Sequence, residues 1–147
     1  MSTRVPLHIL KVAAGISSID QLKLIVDRYA YHDPDLGHIM HMSSRNTPKR
    51  AAELLDGGSV YWIIKRAIVA RAPLVAIREE ERLDGRKGCQ MCIRPEVVLT
   101  APQPKRGFQG WRYLKDTEAP EDLANMIGSE GHGSPELAIE LKELGLL

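Results

Sequence analysis

Two pairs of potential metal ligands stand three residues apart in this chain: His38 and His41 in "HIMH", and Cys89 and Cys92 in "CQMC". Together they have the composition of a Cys2His2 zinc site, which needs all four side chains aimed at one point. Strand parity works against this. In an extended chain, residues three apart point to opposite faces, and no glycine follows Cys92 to form a knuckle. Pairing about an Asp84-Gly85 turn sets Cys92 opposite Ile77 and Cys89 opposite Glu80, with one thiol in the core and one on the other face. No metal is expected. "GSEGHGS" carries Ser129, Glu130, His132 and Ser134, but neighbours in a glycine-rich segment lack the preorganisation that nucleophilic catalysis requires. No Gly-x-Ser-x-Gly elbow, P-loop or dinucleotide-binding glycine pattern occurs, so no catalytic residue and no cofactor are assigned. Glu79, Glu80 and Glu81 read as a solvated hairpin arm.

Cations and flat rings give a more informative pattern. Arg45, Lys49 and Arg50 crowd the expected start of a helix capped by Thr47, with Pro48 in its first turn. Free N–H groups and cations aimed together make an anion site. In "VYWIIKR", alternation puts Tyr61, Ile63 and Lys65 on one face and Trp62, Ile64 and Arg66 on the other. If one face is core, the other offers a stacking ring beside a positive charge, as single-stranded nucleic acid requires. "KRGFQGWRYL" adds Phe108, Trp111 and Tyr113 after a proline-broken loop, with Gly107 and Gly110 permitting a bend. Aromatic residues make up only 5% of the chain, so their clustering beside arginine marks either a core-filling corner or a recognition surface. Gln109 and Arg112 carry donors suited to base edges or phosphate.

The elements that must position these groups follow from periodicity. Residues 5–13 read as a strand, and Ser18 with Gln21 forms a capping box for a helix over 19–31. "HDPDLG" breaks that helix before a short strand at 38–42. The second helix ends on "DGG", where Gly57 takes a left-handed conformation. "SVYWIIKRAIVA" has the β-branched content of a buried strand or strand pair. A hairpin follows, with Asp84-Gly85 as its turn, and Pro95, Pro102 and Pro104 place the second half of its return arm at an edge or bend. "EAPEDLANMI" reads as a short helix, "GSEGHGSP" as a hinge and 135–144 as a last helix. The expected fold is α+β: a compact, barrel-like antiparallel sheet with flanking helices. Residues 1–127 form one domain, and 128–147 a hinge plus acidic helix.

At 147 residues the chain is long enough to bury a core without disulfides. No apolar run approaches a membrane span, His8 and Lys11 interrupt the N-terminal apolar stretch as a signal peptide would not, and two cysteines fit a reducing cytoplasm. The net charge of +1 conceals a division: residues 45–115 hold fifteen Lys and Arg against seven Asp and Glu, and residues 116–147 hold one against eight. A basic body of this kind points to an anionic partner.

The blocks "PLHILKVAAGISSIDQL", "PKRAAELLDGGSVYWIIK" and "PEVVLTAPQPKRGFQGWRYL", followed by "EAPEDL", resemble a family of uncharacterised bacterial proteins, found mainly in alphaproteobacteria and catalogued as a domain of unknown function. In that family the position of Arg66 is usually glycine, which sets Arg66 apart from any shared role. A looser similarity is to the PUA-like barrels, including the ASCH and EVE groups, which bind RNA or modified bases in a basic, aromatic-lined cleft; fold likeness alone does not fix function. The expectation is a nucleic-acid-binding domain, for RNA over DNA. Arg45, Lys49, Arg50 and Lys65 would hold phosphate, Tyr61 or Trp62 and Trp111 or Tyr113 would stack on bases, and Gln109 and Arg112 would read polar edges. The alternatives are a small-molecule enzyme or ligand-binding domain for a phosphorylated or carboxylated compound or nucleotide, and an interaction module whose acidic tail covers the cleft.

Overall fold

The computed structural model describes residues 6–125; the expected hinge at 128–135, the helix at 135–144 and the boundary at 127 lie outside them. The fold is α+β, with strands β1 (Leu7–Val12), β2 (Tyr31–Asp33), β3 (Gly37–Ser44), β4 (Ser59–Ile64), β5 (Ala67–Glu81), β6 (Lys87–Ile93), β7 (Val98–Pro104) and β8 (Trp111–Lys115), and helices α1 (Ile19–Tyr29) and α2 (Ala51–Leu54). The strands form one sheet in the order β2-β3-β6-β5-β4-β1-β8, with β7 also pairing β5. Among these pairs only β1 with β4 is parallel. A parallel pair needs a long crossover, which α1, β2, β3 and α2 supply.

The sheet is open, where the sequence led to a barrel-like one. Its path ends at β2, three residues long, and at β8. The chain leaving β3 crosses to β8 as a loop, through side-chain bonds: the Trp111 indole N–H donates to the Asn46 carbonyl at 3.0 Å, and the Tyr113 hydroxyl accepts from the Arg50 N–H at 3.2 Å. Curvature comes from β5. Its fifteen residues pair β4 and β7 with the first half and β6 with the second, with register shifts at Trp62/Ile63, Ile68/Ala70 and Leu74/Ala76. Each irregularity bends the strand locally.

β4 is buried along its whole length. Val60, Trp62 and Ile64 join the larger core with Ile19, Leu22 and Val26 of α1, while Tyr61 and Ile63 join a smaller one with Leu10, Ile68 and Leu114. The expectation that one face of this strand is displayed therefore fails: both faces are covered, as its unbroken apolar run requires. β4 and β5 form the strand pair, turning through Lys65 and Arg66 at φ 49° and 65°.

α1 begins as expected, the Ser18 hydroxyl accepting from the Gln21 N–H at 3.1 Å and the Gln21 side chain accepting from the Ser17 N–H at 2.9 Å. The "HDPDLG" break is a hairpin, its turn held by the Asp33 carboxylate, which accepts from the Asp35 and Leu36 N–H groups and from Arg78. α2 is a single turn that starts at Ala51 with no side-chain cap, so Thr47 does not cap it. Arg45, Lys49 and Arg50 precede that turn, and the Arg50 N–H is already taken by Tyr113. The anion site expected at a helix start is not built.

The Asp84-Gly85 hairpin forms, with Gly85 at φ 80°, but its loop is longer than two residues. Arg82 N–H donates to the Arg86 carbonyl at 2.8 Å, and the register moves by one. Cys92 faces Ala76 and Cys89 faces Glu79, in place of Ile77 and Glu80. Both thiols are fully buried.

Candidate functional site

The two faces of β8 divide the expected site. Trp111 and Tyr113 pack toward the larger core, while Phe108 packs against the smaller one. The Arg112 guanidinium lies 4.3 Å from the centre of the Phe108 ring, on the opposite side of the sheet from Trp111. Beside Trp111, directly across the β1–β8 ladder, stands Lys11. Lys11 shares strand parity with Leu7 and Ile9, so it ends the core-facing row of β1 at the sheet's rim.

A cleft of about 610 Å³ opens at this rim. It is lined by Lys11 of β1, Met42 to Asn46 at the end of β3, Arg82 of the hairpin loop, Met91 of β6 and Gln109 to Trp111 before and in β8. Three of these residues are cations, Lys11, Arg45 and Arg82, and none is a carboxylate. The partly buried Trp111 has its indole N–H committed to Asn46, which fixes the ring's position. The same carbonyl accepts from the buried Cys89 thiol at 3.5 Å, tying the β3 end to β6. Burial pushes that thiol's pKa up, so it stays a neutral structural group.

Arg82 is the most telling of these residues. Its side chain crosses Gly88, where an added Cβ would lie 3.1 and 3.2 Å from the Arg82 Cδ and Cγ and 2.4 Å from the Ser44 carbonyl oxygen. The Arg82 Nε is buried and has no hydrogen-bond partner among the described residues. A buried guanidinium N–H left unpaired costs roughly 1–3 kcal/mol. On its other side Arg82 borders a second hollow with Glu80, Glu81 and Asp84. The Glu80 carboxyl is held below its ordinary pKa by hydrogen bonds from Gln90 and Ser43.

Of the ten side chains singled out from the sequence, the cleft thus unites Arg45, Gln109 and Trp111. Tyr113 stands next to it, edge-on to Trp111 with ring centres 5.0 Å apart. Arg50 covers the Tyr113 ring at 5.6 Å and holds Glu53 bidentately at 2.6 and 2.7 Å, which raises the Arg50 pKa and lowers that of Glu53. The others lie elsewhere: Lys49 exposed before α2, Lys65 exposed at the β4–β5 turn, Trp62 in the core, and Tyr61 and Arg112 toward the opposite face. Lys11 and Arg82 are not among the ten. The Lys11 signal was present, a lone cation on the apolar parity of β1; that of Arg82 depended on a hairpin register displaced by one residue.

Neither the curated proteins nor the solved structures contain a match to this chain. The model of a family described as "Protein of unknown function (DUF1489)" matches residues 9–147, a span holding every residue of the cleft. The likeness to an uncharacterised family read from the "GGSVYWIIK" and "FQGWRYL" blocks is borne out at that level: the chain belongs to this family of unknown function.

Proposed function

We propose that the cleft binds single-stranded nucleic acid, RNA in preference to DNA, with Lys11, Arg45 and Arg82 on phosphates and the Trp111 ring against a base. One observation carries this: three cations from separate segments and no carboxylate surround a ring anchored by its own hydrogen bond. Phosphate contacts supply affinity, and a flat ring accepts any base. Gln109 and Asn46 add amide groups at the same rim, suited to polar base edges. The looser likeness to PUA-like barrels, which bind RNA or modified bases in a basic, aromatic-lined cleft, supports the same reading, with the sheet here open in place of a barrel. A cytoplasmic setting fits the same reading.

Fluorescence anisotropy with a labelled single-stranded RNA 12-mer, across a salt series, tests the proposal. Arg45→Ala with Arg82→Ala should weaken binding at least ten-fold. For single strands it should also flatten the slope of log K against log salt by about 1.4, roughly 0.7 for each phosphate no longer neutralised. Unchanged affinity and slope would remove the cleft from nucleic-acid binding. A second reading, a site for a phosphorylated small molecule, is favoured by the cleft's volume of about 610 Å³, within the usual range for small-ligand pockets. Thermal stabilisation by a mononucleotide without oligonucleotide binding would select it.

A further inference from the structure

On the face of the sheet turned away from the cleft, a hollow of about 500 Å³ opens among His8, Ser59, Tyr61, Arg71, Asp116 and Asp122. Most of its polar groups are committed to one another. The Ser59 N–H donates to His8 Nδ1 at 3.0 Å, which leaves the ring proton on Nε2, where it donates to Asp116 Oδ1 at 2.8 Å. With both ring nitrogens engaged, His8 has no free lone pair for base catalysis and serves to position Asp116. Arg71 binds both Asp122 oxygens at 2.7 Å and gives a third N–H to the Ser59 hydroxyl at 3.0 Å, so the Asp122 charge is neutralised.

Tyr61 is different. The residue is only 5% exposed and its ring meets His8 edge-on at 4.9 Å. Its hydroxyl nevertheless has no hydrogen-bond partner among the described residues and is not sealed in the core. The hydroxyl therefore faces the hollow, where water or the donor group of a ligand reaches it. Glu121 also borders the hollow. With Arg71 and Asp122 cancelling and His8 neutral, Asp116 and Glu121 leave two negative charges in excess.

We infer that this hollow binds the primary ammonium group of a small alkylamine, a diamine or polyamine. An ammonium carries three N–H donors and no acceptor. The free Asp116 oxygen, the Tyr61 hydroxyl and the remaining lone pair of the Ser59 hydroxyl are three acceptors bordering one space. An anion is disfavoured, because the one guanidinium bordering the hollow is already bound to Asp122. A hollow of about 500 Å³ has the volume for a small molecule. The inference is independent of what the basic cleft holds.

Isothermal titration calorimetry of the whole chain, free of nucleic acid at near-physiological salt, tests it with putrescine, spermidine, inorganic phosphate and a lysine-containing peptide. Putrescine or spermidine should bind, Tyr61→Phe should weaken that binding about five- to ten-fold, and Asp116→Asn should weaken it further. In the unaltered protein, putrescine should shift the Ser59 amide resonance, a readout that stands even if a variant folds poorly. Equal affinity in wild type and both variants, or no shift at Ser59, would overturn the inference. So would binding of phosphate in place of amine, and a peptide that displaces putrescine at lower concentration would overturn the small-molecule source.

Discussion

Lys65 and Arg66 carry the chain from β4 into β5 with both φ angles positive, 49° and 65°. This is the mirror-image turn that suits a tight hairpin and that residues with a Cβ adopt at a cost of about 1–2 kcal/mol each. The glycine implied at position 66 by the family resemblance therefore has a physical reason, and arginine stands there under strain. Arg66→Gly should stabilise the protein by about 0.5–1 kcal/mol, the relieved strain less the extra chain entropy of glycine. Urea denaturation followed by circular dichroism measures this, and a loss of stability would contradict the strain. The same turn explains why Lys65 is not a phosphate ligand of the cleft: alternation along β4 continues only to Ile64, after which the side chains leave the sheet. Strain at the turn and an unpaired Arg82 Nε are different cases. The first is a matter of backbone conformation, the second of an unmet hydrogen bond.

β3 and β6 position the cleft, and their packing is close at Gly88, where a Cβ would lie 2.4 Å from the Ser44 carbonyl oxygen. Gly88→Ala should push β3 from β6 and lift Arg82 off its seat, at a cost of about 1–3 kcal/mol. The melting temperature reads the stability loss and weaker RNA binding the displacement; a variant as stable as wild type would show that the ladder yields freely. Elements with local signals were legible in the sequence. The Ser18–Gln21 cap set the start of α1 and Asp84-Gly85 marked a hairpin, while the second half of its return arm, read from its prolines as an edge or bend, is a separate strand, β7, pairing β5. What failed was decided by contacts distant in sequence. Thr47 and Pro48 spell a helix start, yet Tyr113 takes the Arg50 N–H from sixty-three residues away, and the helix waits until Ala51. The five-residue loop at 82–86 differs from a two-residue turn by a single register step, which moved Cys89, Cys92 and Arg82 relative to their expected partners. For the site, the "FQGWRYL" block was rightly singled out, since Gln109 and Trp111 line the cleft, but the alternation that separates Trp111 from Arg112 also sends them to opposite faces.

Across the whole molecule, the basic excess of residues 45–115 is distributed unevenly. Arg71 and Arg78 are paired with Asp122 and Asp33, and Arg50 with Glu53. The Arg78 and Arg71 pairs hold the β2–β3 hairpin and the chain after β8 to the sheet, the Arg50 pair lies within the first turn of α2, and the Asp33 and Asp122 carboxyls are held below their ordinary pKa by the guanidinium beside each. The cations lining the cleft are Lys11, Arg45 and Arg82, and Arg82 also faces Glu80 in the neighbouring hollow. The hollow on the opposite face has the reverse sign. The sheet thus separates a basic, aromatic rim from an acidic hollow, and Trp62 of β4 lies in the core on the rim's side, across the β1–β4 ladder from Lys11.

The chain has two tryptophans, one in the cleft and one in the core, so the unaltered protein carries its own control. Two-dimensional NMR of the 15N-labelled protein shows one indole N–H signal for each, assigned through Trp111→Phe. Titration with single-stranded RNA should move or broaden the Trp111 signal saturably and shift the signal of buried Trp62, one strand beyond Lys11, much less. Binding that leaves Trp111 unmoved while shifting resonances on the His8–Tyr61 face would contradict the assignment of the cleft.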